Sequence, residues 1–377
     1  MDIYEESIEL HKRVGGKIET GLKVDLNNKE DLSLAYSPGV AAISRAIAED
    51  VSKAKELTIK KNTVAIVSDG SAILGLGNLG AHAAIPVMEG KAALFKKFAD
   101  VDAVPICINT QNVDEIVELV KNIAPTFGGI NLEDISAPRC FEVEKRLRED
   151  LDIPVMHDDQ HGTAVVVLAG LINALKLRDT KKEDLKVVIN GVGAAGVAIT
   201  NILLEFGVTN IVLCDSKGII CKERVDLNDT KVRLMQVTNG GGVCGMLKKA
   251  LVDADVFVGV SVAGALKKEA LSIMKKDPII FALANPEPEI MPDVAKKAGA
   301  FVVATGRSDF PNQINNVLAF PGIFRGALDN GITQFKNSMF VDAAYAIAEC
   351  VETPTVDRVI PDPFDERVAK KVAQVIK

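Results

Sequence analysis

The segment L-K-V-V-I-N-G-V-G-A-A-G, residues 185–196, decides the fold class. Its apolar run at 187–190 reads as a buried strand, glycines follow at 191, 193 and 196, and 197–206 has the composition of a helix. A second strand, 211–214, ends on Asp215. In a strand–G-x-G-x-x-G–helix–strand unit the first glycine makes the tight turn, the second admits a pyrophosphate, and the third lets helix and strand close on each other. Gly191, Gly193 and Gly196 take those roles. Ala194 and Ala195 lie at the helix start, where free N–H groups and the dipole attract phosphate. Asp215 is placed to hold ribose hydroxyls, which favours NAD because a carboxylate there opposes a 2′-phosphate. Lys217, two residues on, offsets that charge and keeps NADP open. Further strands are expected at 256–260, 279–283 and 301–304. Ser261 and Asn285 then fall at strand ends over the cofactor crevice, and Asn315 and Asn316 in a polar loop before the next helix.

Upstream, I-P-V-M-H-D-D-Q-H-G-T (153–163) gives a strand at 153–156, Asp158 and Asp159 at its end, and a long apolar helix starting at Gly162. N-L-E-D-I (131–135) sets Glu133 beside Asp134. The carboxyl ends of strands are where open α/β sheets bind ligands. Carboxylates brought together there need a cation, and oxygen-only ligands favour Mg²⁺ or Mn²⁺. Read alone, Glu133-Asp134 is better taken as a solvated loop tip, whereas apolar segments hem in Asp158-Asp159 on both sides. A strand at 62–67 precedes G-L-G-N-L-G (75–80). This second G-x-G-x-x-G is not read as a pyrophosphate site, because a turn and residues 72–74 separate it from the strand and Asp100 ends a helix. Lys91, after Glu89-Gly90, is expected to open that helix. The dipole there lowers a lysine pKa and favours a neutral base; the other reading is a solvent-exposed helix lysine. In A-Y-S-P-G-V-A, Ser37 is expected to cap a helix with Pro38 at its first position. That leaves Tyr36 at the dipole's positive end, either as a proton donor or as an apolar staple. With a strand at 101–109 and helices at 113–122, 138–151 and 162–177, the fold class is α/β: an N-terminal α/β substrate and metal domain plus a Rossmann-type dinucleotide-binding domain. The expected division is 1–160, 161–340 and C-terminal helices at 341–377 packing back on the core.

The 377 residues carry 48% hydrophobic and 25% charged side chains and a formal net charge of −7, with a pI near 5.4. That balance argues against a nucleic-acid footprint. The longest nearly apolar stretch, 163–175, is shorter than the roughly 20 residues a bilayer span needs. The start M-D-I-Y-E-E lacks the order of a signal peptide. Six scattered cysteines without a CxxC pair read as buried thiols of a reducing, cytoplasmic compartment.

Taken together, the motifs resemble malic enzymes. They are Y-S-P-G-V-A (36–41), V-S-D-G-S-A-I-L-G-L-G-N-L-G (67–80), E-G-K-A-A-L-F (89–95), N-L-E-D-I (131–135), H-D-D-Q-H-G-T-A (157–164), G-V-G-A-A-G (191–196), A-N-P-E-P-E-I (284–290) and G-R-S-D-F-P-N-Q-I-N-N-V-L-A-F-P-G (306–322). They run in order along nearly the whole chain and follow the short microbial branch. The resemblance implies oxidation of (S)-malate with NAD or NADP and decarboxylation to pyruvate and CO₂. It implies Lys91 as general base, Tyr36 as general acid, Asp158 paired with Lys91, and Glu133, Asp134 and Asp159 as ligands of Mg²⁺ or Mn²⁺ acting as a Lewis acid. Asn285 and Asn316 resemble asparagines that touch substrate and nicotinamide, and a homodimer is implied. Long-form enzymes clamp a malate carboxylate with an arginine in the D-G-x-R loop. This chain has Ser71 and Ala72 there, so Ser71, backbone amides and the asparagines Asn285, Asn315 and Asn316 are the candidate substrate contacts. The acyltransferase-like tail of some bacterial members is not found by residue 377, and regulation through one is not expected.

Three other readings compete. His157 and His161 share the spacing of a zinc protease H-E-x-x-H, but the glutamate is missing and the stretch begins on a strand. A dinucleotide sensor needs the glycine fingerprint but neither Lys91 nor the carboxylates. A metal-free malate dehydrogenase would release oxaloacetate without CO₂.

Overall fold

Parallel strands buried on both faces require continuous apolar runs, and T-V-A-I-V-S and K-V-V-I-N supply them for the central strands of two sheets. The computed structural model describes residues 2–73 and 76–377. Helices α1 (Ile3–Val14), α2 (Lys29–Ala35), α3 (Val40–Glu49) and α4 (Ala54–Leu57) come first. Asp2 caps α1 in a box closed by Glu5, and Asn28 caps α2. The first unit continues with β1 (Thr63–Ser68), α5 (Ala81–Ala99), β2 (Asp102–Cys107), α6 (Val113–Ile123), β3 (Gly129–Leu132), α7 (Arg139–Asp150) and β4 (Val155–His157). Its strands lie in the order β2-β1-β3-β4, all parallel.

Helix α8 (Asp158–Arg178) leads to the second unit: β5 (Lys186–Asn190), α9 (Ala194–Phe206), β6 (Asn210–Asp215), β7 (Gly218–Ile219), α10 (Asp229–Val237), α11 (Leu247–Leu251), β8 (Val256–Gly259), β9 (Ile279–Ala282), α12 (Pro292–Lys297) and β10 (Val302–Thr305). The order is β10-β9-β8-β5-β6-β7, parallel except for β7, which turns back on β6. Both sheets reverse winding at their centre, one beside β1 and the other between β5 and β8. Open α/β sheets bind ligands at such reversals. Helices α13 (Phe320–Asn330), α14 (Asn337–Ala348) and α15 (Arg367–Val375) complete the chain. An irregular stretch, 349–366, interrupts the helical tail expected from the sequence. Helix α15 packs on α13 and α5, and the Phe364 ring meets Phe98 at 5.8 Å, so the tail lies on the first unit.

Helix α8 starts at Asp158, four residues before the expected Gly162, because His157 already takes the extended N-cap conformation. Asp158 and Asp159 therefore occupy its first turn, where the dipole favours negative charge. Its 21 residues also exceed the expected apolar span and match a bilayer in length, yet 78% of its apolar window is buried against protein. Its sides pack on α9 and α14.

Three further expectations are corrected. Ser37 caps nothing: Gly39 is the N-cap of α3, and the carbonyls of Ser33 and Tyr36 take the N–H groups of Gly39 and Val40 directly. Tyr36 is instead the C-cap of α2. Lys91 lies in the middle of α5, not at its start, because the helix begins at Ala81 and Met88, Ala92 and Phe95 hold it in the core through Glu89-Gly90. Two of the six cysteines are not thiols. Cys221 and Cys244 form a disulfide with Cα atoms 5.7 Å apart. The β6–β7 reversal brings Cys221 back to the loop before α11, where the Ile219 N–H donates to the Gly245 carbonyl and the Asn239 side chain to the Ile220 and Val243 carbonyls.

Among the described residues, none before Thr63 is buried. Ile3, Leu22 and Leu34 are 72 to 73% exposed. The core lies elsewhere, and its aromatic centre joins α5 to α13: Phe95 meets Phe320 and Phe324 edge-on at 4.7 and 5.5 Å, and Phe324 meets Phe335 at 5.7 Å. Phe324 has no exposed surface, and its ring fills the space a Cβ on Gly129 would enter. Truncating it leaves a cavity that rigid neighbours cannot collapse into. Phe324→Ala is expected to cost about 3 to 5 kcal/mol, read as a lower urea midpoint at unchanged slope; a loss below about 1 kcal/mol would show that this cluster does not join α5 to α13.

Candidate active site

The first site is assembled from strand ends. Strand β1 delivers Asp69, β3 delivers Glu133 and Asp134, and β4 delivers Asp158 and Asp159. Asp134 turns the chain with φ 53°, a left-handed conformation that Asp tolerates better than most residues. Its N–H donates to Asp159 Oδ2 at 2.9 Å. Carboxylate oxygens of Glu133, Asp134 and Asp159 lie within 4.8 Å of one another. Helix α5 brings Lys91 over this group. Lys91 Nζ sits 2.6 Å from Asp158 Oδ2 and 3.0 Å from Glu133 Oε1, with the Phe320 ring 4.3 Å away beneath it. Asn316 Nδ2 donates to the same Asp158 oxygen at 2.6 Å, and Asn131 Nδ2 to Glu133 at 2.9 Å. A Cβ on Gly162 would fall 1.9 Å from Asp158 Oδ1, so only glycine lets that carboxylate lie along the helix.

Lys91 is 7% exposed and Asp158 fully buried. Burial pulls the lysine pKa down, but Asp158 and Glu133 outweigh it and hold the ammonium protonated, above its ordinary range. This reverses the direction expected from a helix-start position. Several acids share one cation in a dry site, so the acids rise too. Burial pushes Glu133 and Asp158 up to about 7 against the pull of Lys91, and Asp159 up to about 6. Burial also holds His157 down at about 4, so it is neutral. His161 lies at ion-pair distance, 2.8 Å, from Glu144 and stacks on Phe340. His157 Nε2 lies 3.6 Å from Asp159 Oδ2 at the edge of the carboxylate group, while His161 is spent on Glu144.

Some predicted residues are spent elsewhere. The Ser71 hydroxyl donates to Asp69 at 2.5 Å and accepts from the Ser136 N–H at 2.9 Å, so it braces the loop. Arg139 holds the other Asp69 oxygen at 3.2 Å. Asn315 caps a short turn by accepting from the Val317 N–H. Tyr36 is 68% exposed, and among the described residues no contact joins it to Lys91. The Gly-rich run folds back on Gly70, whose carbonyl takes the N–H groups of Leu79 and Gly80. Its first glycine, Gly75, lies outside the described residues.

The second site is the glycine turn. Gly191 has φ 116°, and a Cβ there would lie 2.4 Å from the Val260 carbonyl. A Cβ on Gly196 would lie 1.9 Å from the Gly191 carbonyl, whereas one on Gly193 would meet nothing. Two glycines thus close the β5–α9 turn and the third leaves room for a ligand at the N-terminus of α9, where Ala194 and Ala195 begin the helix. Buried Glu289 ties the loops after β8 and β9, accepting from the N–H groups of Ser261 and Ala284 at 2.8 and 3.0 Å. Ser261 also accepts from Asn190 Nδ2 at 2.8 Å. Asn285 is exposed beside Gly306.

Asp215 departs from expectation. Its carboxylate accepts from Arg224 at 2.8 and 3.2 Å, Lys231 at 2.6 Å and the Lys217 N–H at 2.9 Å. Although partial burial raises its pKa, these donors hold it down at about 2. Four donors saturate a carboxylate, which leaves no lone pair for ribose hydroxyls. Neither Arg224 nor Lys231 stands out in the sequence; only the return of the chain after β7 brings Arg224, in the loop before α10, and Lys231, in α10, to Asp215.

Residues 15–148 match the family described as malic enzyme, N-terminal domain, and residues 160–376 the malic enzyme NAD-binding domain. The chain is 58% identical to the bifunctional malic/malolactic enzyme of Bacillus subtilis, over all of this chain and 92% of that protein. It is 56% identical to the NAD-dependent malic enzyme of Geobacillus stearothermophilus, over 96% of this chain and 76% of the relative. Other relatives are named NADP-dependent malic enzymes, and the chain spans 50 to 51% of their length. The crystal structure of the NAD-dependent malic enzyme from Thermotoga maritima superposes with a TM-score of 0.96 at 50% identity, covering 100% of this chain and 99% of that one.

Crowded all-oxygen ligands fit a hard divalent ion. Because the folded carboxyl pKa values lie above the unfolded ones, the metal-free protein loses stability as pH rises through about 6 to 7, and a bound cation offsets that loss by displacing the protons. Mn²⁺ affinity is therefore expected to climb about tenfold or more from pH ~5.5 to ~7.5 and then level off. Calorimetric titration should show this in the native chain and not in Glu133→Gln. Affinity independent of pH would remove the carboxylates from metal binding.

Proposed function

The chain belongs to the malic enzyme family, and from that premise we propose that it converts (S)-malate to pyruvate and CO₂ while reducing NAD or NADP. The observation that carries this reading is Lys91, a buried lysine held 2.6 Å from Asp158 and 3.0 Å from Glu133 at the edge of an acidic group able to take a cation. A general base must reach the proton it removes, in a site closed to water. Glu133, Asp134 and Asp159 would hold Mg²⁺ or Mn²⁺, which supplies Lewis-acid polarisation of the substrate oxygens. With those carboxylates committed to a cation, the field that keeps Lys91 protonated weakens, and burial, which favours the neutral amine, is opposed chiefly by Asp158.

Lys91 would then take the proton of the C2 hydroxyl, with the nicotinamide, when bound, supplying the hydride acceptor for C2. The new ketone at C2 accepts the electron pair of the C3–C4 bond as CO₂ leaves. Tyr36 returns a proton to C3, giving pyruvate. Asp158 and Asn316 orient Lys91 through the shared Asp158 carboxylate. Asn316 and Asn285 take the substrate side, while Ser71 and Asn315, spent on their own loops, do not. On the cofactor side, Gly193 to Gly196 receive the pyrophosphate at the start of α9. Because Arg224 and Lys231 cancel the charge of Asp215, that carboxylate does not exclude a 2′-phosphate, so NADP is accepted as well as NAD. With malate, Mn²⁺ and either dinucleotide, the chain is expected to form pyruvate, to stop when a chelator is added, and to lose about 10³-fold or more in kcat as Lys91→Ala. Oxaloacetate formed without CO₂, indifferent to chelator, would leave a plain dehydrogenase.

The working unit is proposed to be a homodimer with shared sites. Helices α1 to α4 bury no side chain of their own, and an apolar surface this extended requires a cover. Tyr36 stands on it, 68% exposed. A second copy laid over these helices would cover them and carry Tyr36 to the partner's Lys91. Inactive Tyr36→Phe and Lys91→Ala chains, unfolded and refolded together, are then expected to recover about a quarter of native activity, since random pairing gives half mixed dimers, each with one intact site. No recovery would place both residues in one subunit's site.

A further inference from the structure

We infer that the Cys221–Cys244 cystine is a site of reversible thiol–disulfide exchange that sets how tightly the adenosine side of the cofactor crevice is held. The inference rests on the dinucleotide-binding reading of the second unit. The two cysteines stand 23 residues apart in sequence, and the chain between them carries, among the described residues, every charged side chain that contacts the Asp215 carboxylate. Arg224 and Lys231 reach it from inside the closed loop, and Asp226 holds Arg224 from the same segment. Cys221 bears directly on this cluster, since its carbonyl accepts the Arg224 N–H at 3.1 Å. Cys244 anchors the other end in the sequence T-N-G-G-G-V-C-G (238–245), whose glycines hold little conformation by themselves. Apart from the bridge, that end is fastened by the Ile219 N–H to the Gly245 carbonyl, by the Asn239 N–H to the Ile211 carbonyl, and by the Asn239 side chain to the Ile220 carbonyl and the Val243 backbone. Between the two cysteines only α10 is regular structure, and of its residues only Leu234 is buried. A short helix so lightly packed depends on what closes its ends.

The chemistry is a two-electron exchange with a dithiol reductant. Cys221 is buried at 4% exposure and Cys244 is the more open partner, so an external thiolate attacks Cys244 Sγ. The Sγ–Sγ bond breaks, Cys221 leaves as a thiolate and takes a proton, and a mixed disulfide forms at Cys244. The second thiol of the reductant resolves it, leaving two protein thiols and an oxidised reductant. In reducing compartments protein disulfides are chiefly transient or redox-sensing. Reduced, the 222–243 segment loses its closure, Arg224 and Lys231 spend less time on Asp215, and the crevice edge is less ordered before a dinucleotide arrives.

The test uses the whole chain. After equilibration with oxidised glutathione, unfolding and alkylation should modify the four free cysteines, and after dithiothreitol all six. NADH and NADPH titrations followed by fluorescence should show Kd about threefold or more higher in the reduced protein. Cys244→Ser should give the reduced value under both conditions, and because the native chain is switched chemically, the test survives a poorly folding variant. Six modified cysteines after glutathione, or a Kd that ignores redox state, would overturn the inference and leave the dinucleotide reading intact. If neither dinucleotide binds in either state, the dinucleotide reading fails and the inference with it.

Discussion

One ammonium group among acids governs this molecule. Lys91 is buried in an apolar helix face, and a lysine there without partners would be neutral or would expel the helix from the core. Asp158 and Glu133 keep it charged and in place. The arrangement is unbalanced by design of the backbone: three strand ends and one helix start deliver more carboxylates than Lys91 can neutralise. The excess negative charge suits a divalent cation, and burial, with that excess added, is why Glu133, Asp158 and Asp159 hold protons up to near neutrality. Removing Lys91 would therefore disturb the acids around it, since its charge opposes the burial that raises them.

Helix α8 carries the consequences from one half to the other. Its first turn bears Asp158 and Asp159, and its body packs along α9, the helix that opens at the glycine turn. The acidic group and the glycine turn thus hang on neighbouring helix N-termini in one packed layer. Most of α8 is apolar and 78% of its apolar window is buried, which is why it has the length and composition of a membrane span while lying inside protein. Hydride transfer needs donor and acceptor atoms held to within a fraction of an ångström, and two long buried helices in contact are a stiff way to hold them.

Charge neutralisation recurs at the opposite edge of the second sheet. Asp215 is saturated by Arg224, Lys231 and a backbone amide, so its position after β6 does not carry the meaning that a free carboxylate would. The N-terminal segment shows the complementary situation, with apolar side chains such as Ile3, Leu22 and Leu34 left 72 to 73% exposed. Both features show that a residue's type and its place in a motif define what it can do, while its neighbours define what it does.

The sequence by itself determined the α/β class, the strand and helix order and the glycine turn, because hydrophobic period and the absence of a Cβ are local properties. The side chains of Glu133, Asp134, Asp158 and Asp159 were legible for a related reason: residues at the carboxyl ends of strands converge in any open parallel sheet. Where reading went astray, the deciding contact was distant. The start of α8 at Asp158 and the course of α5 through Lys91 are set by packing against the core, so the lysine's charge state reversed from the one a helix start would give. Ser71 and Asn315 look free in sequence and are consumed by Asp69 and Val317. Cys221 and Cys244 carry no spacing signal, since only the β6–β7 reversal brings them together. Local chemistry writes the parts list in the chain, but hydrogen bonds and ion pairs between residues far apart in sequence exist only after folding, and they decided which of those parts are free to act.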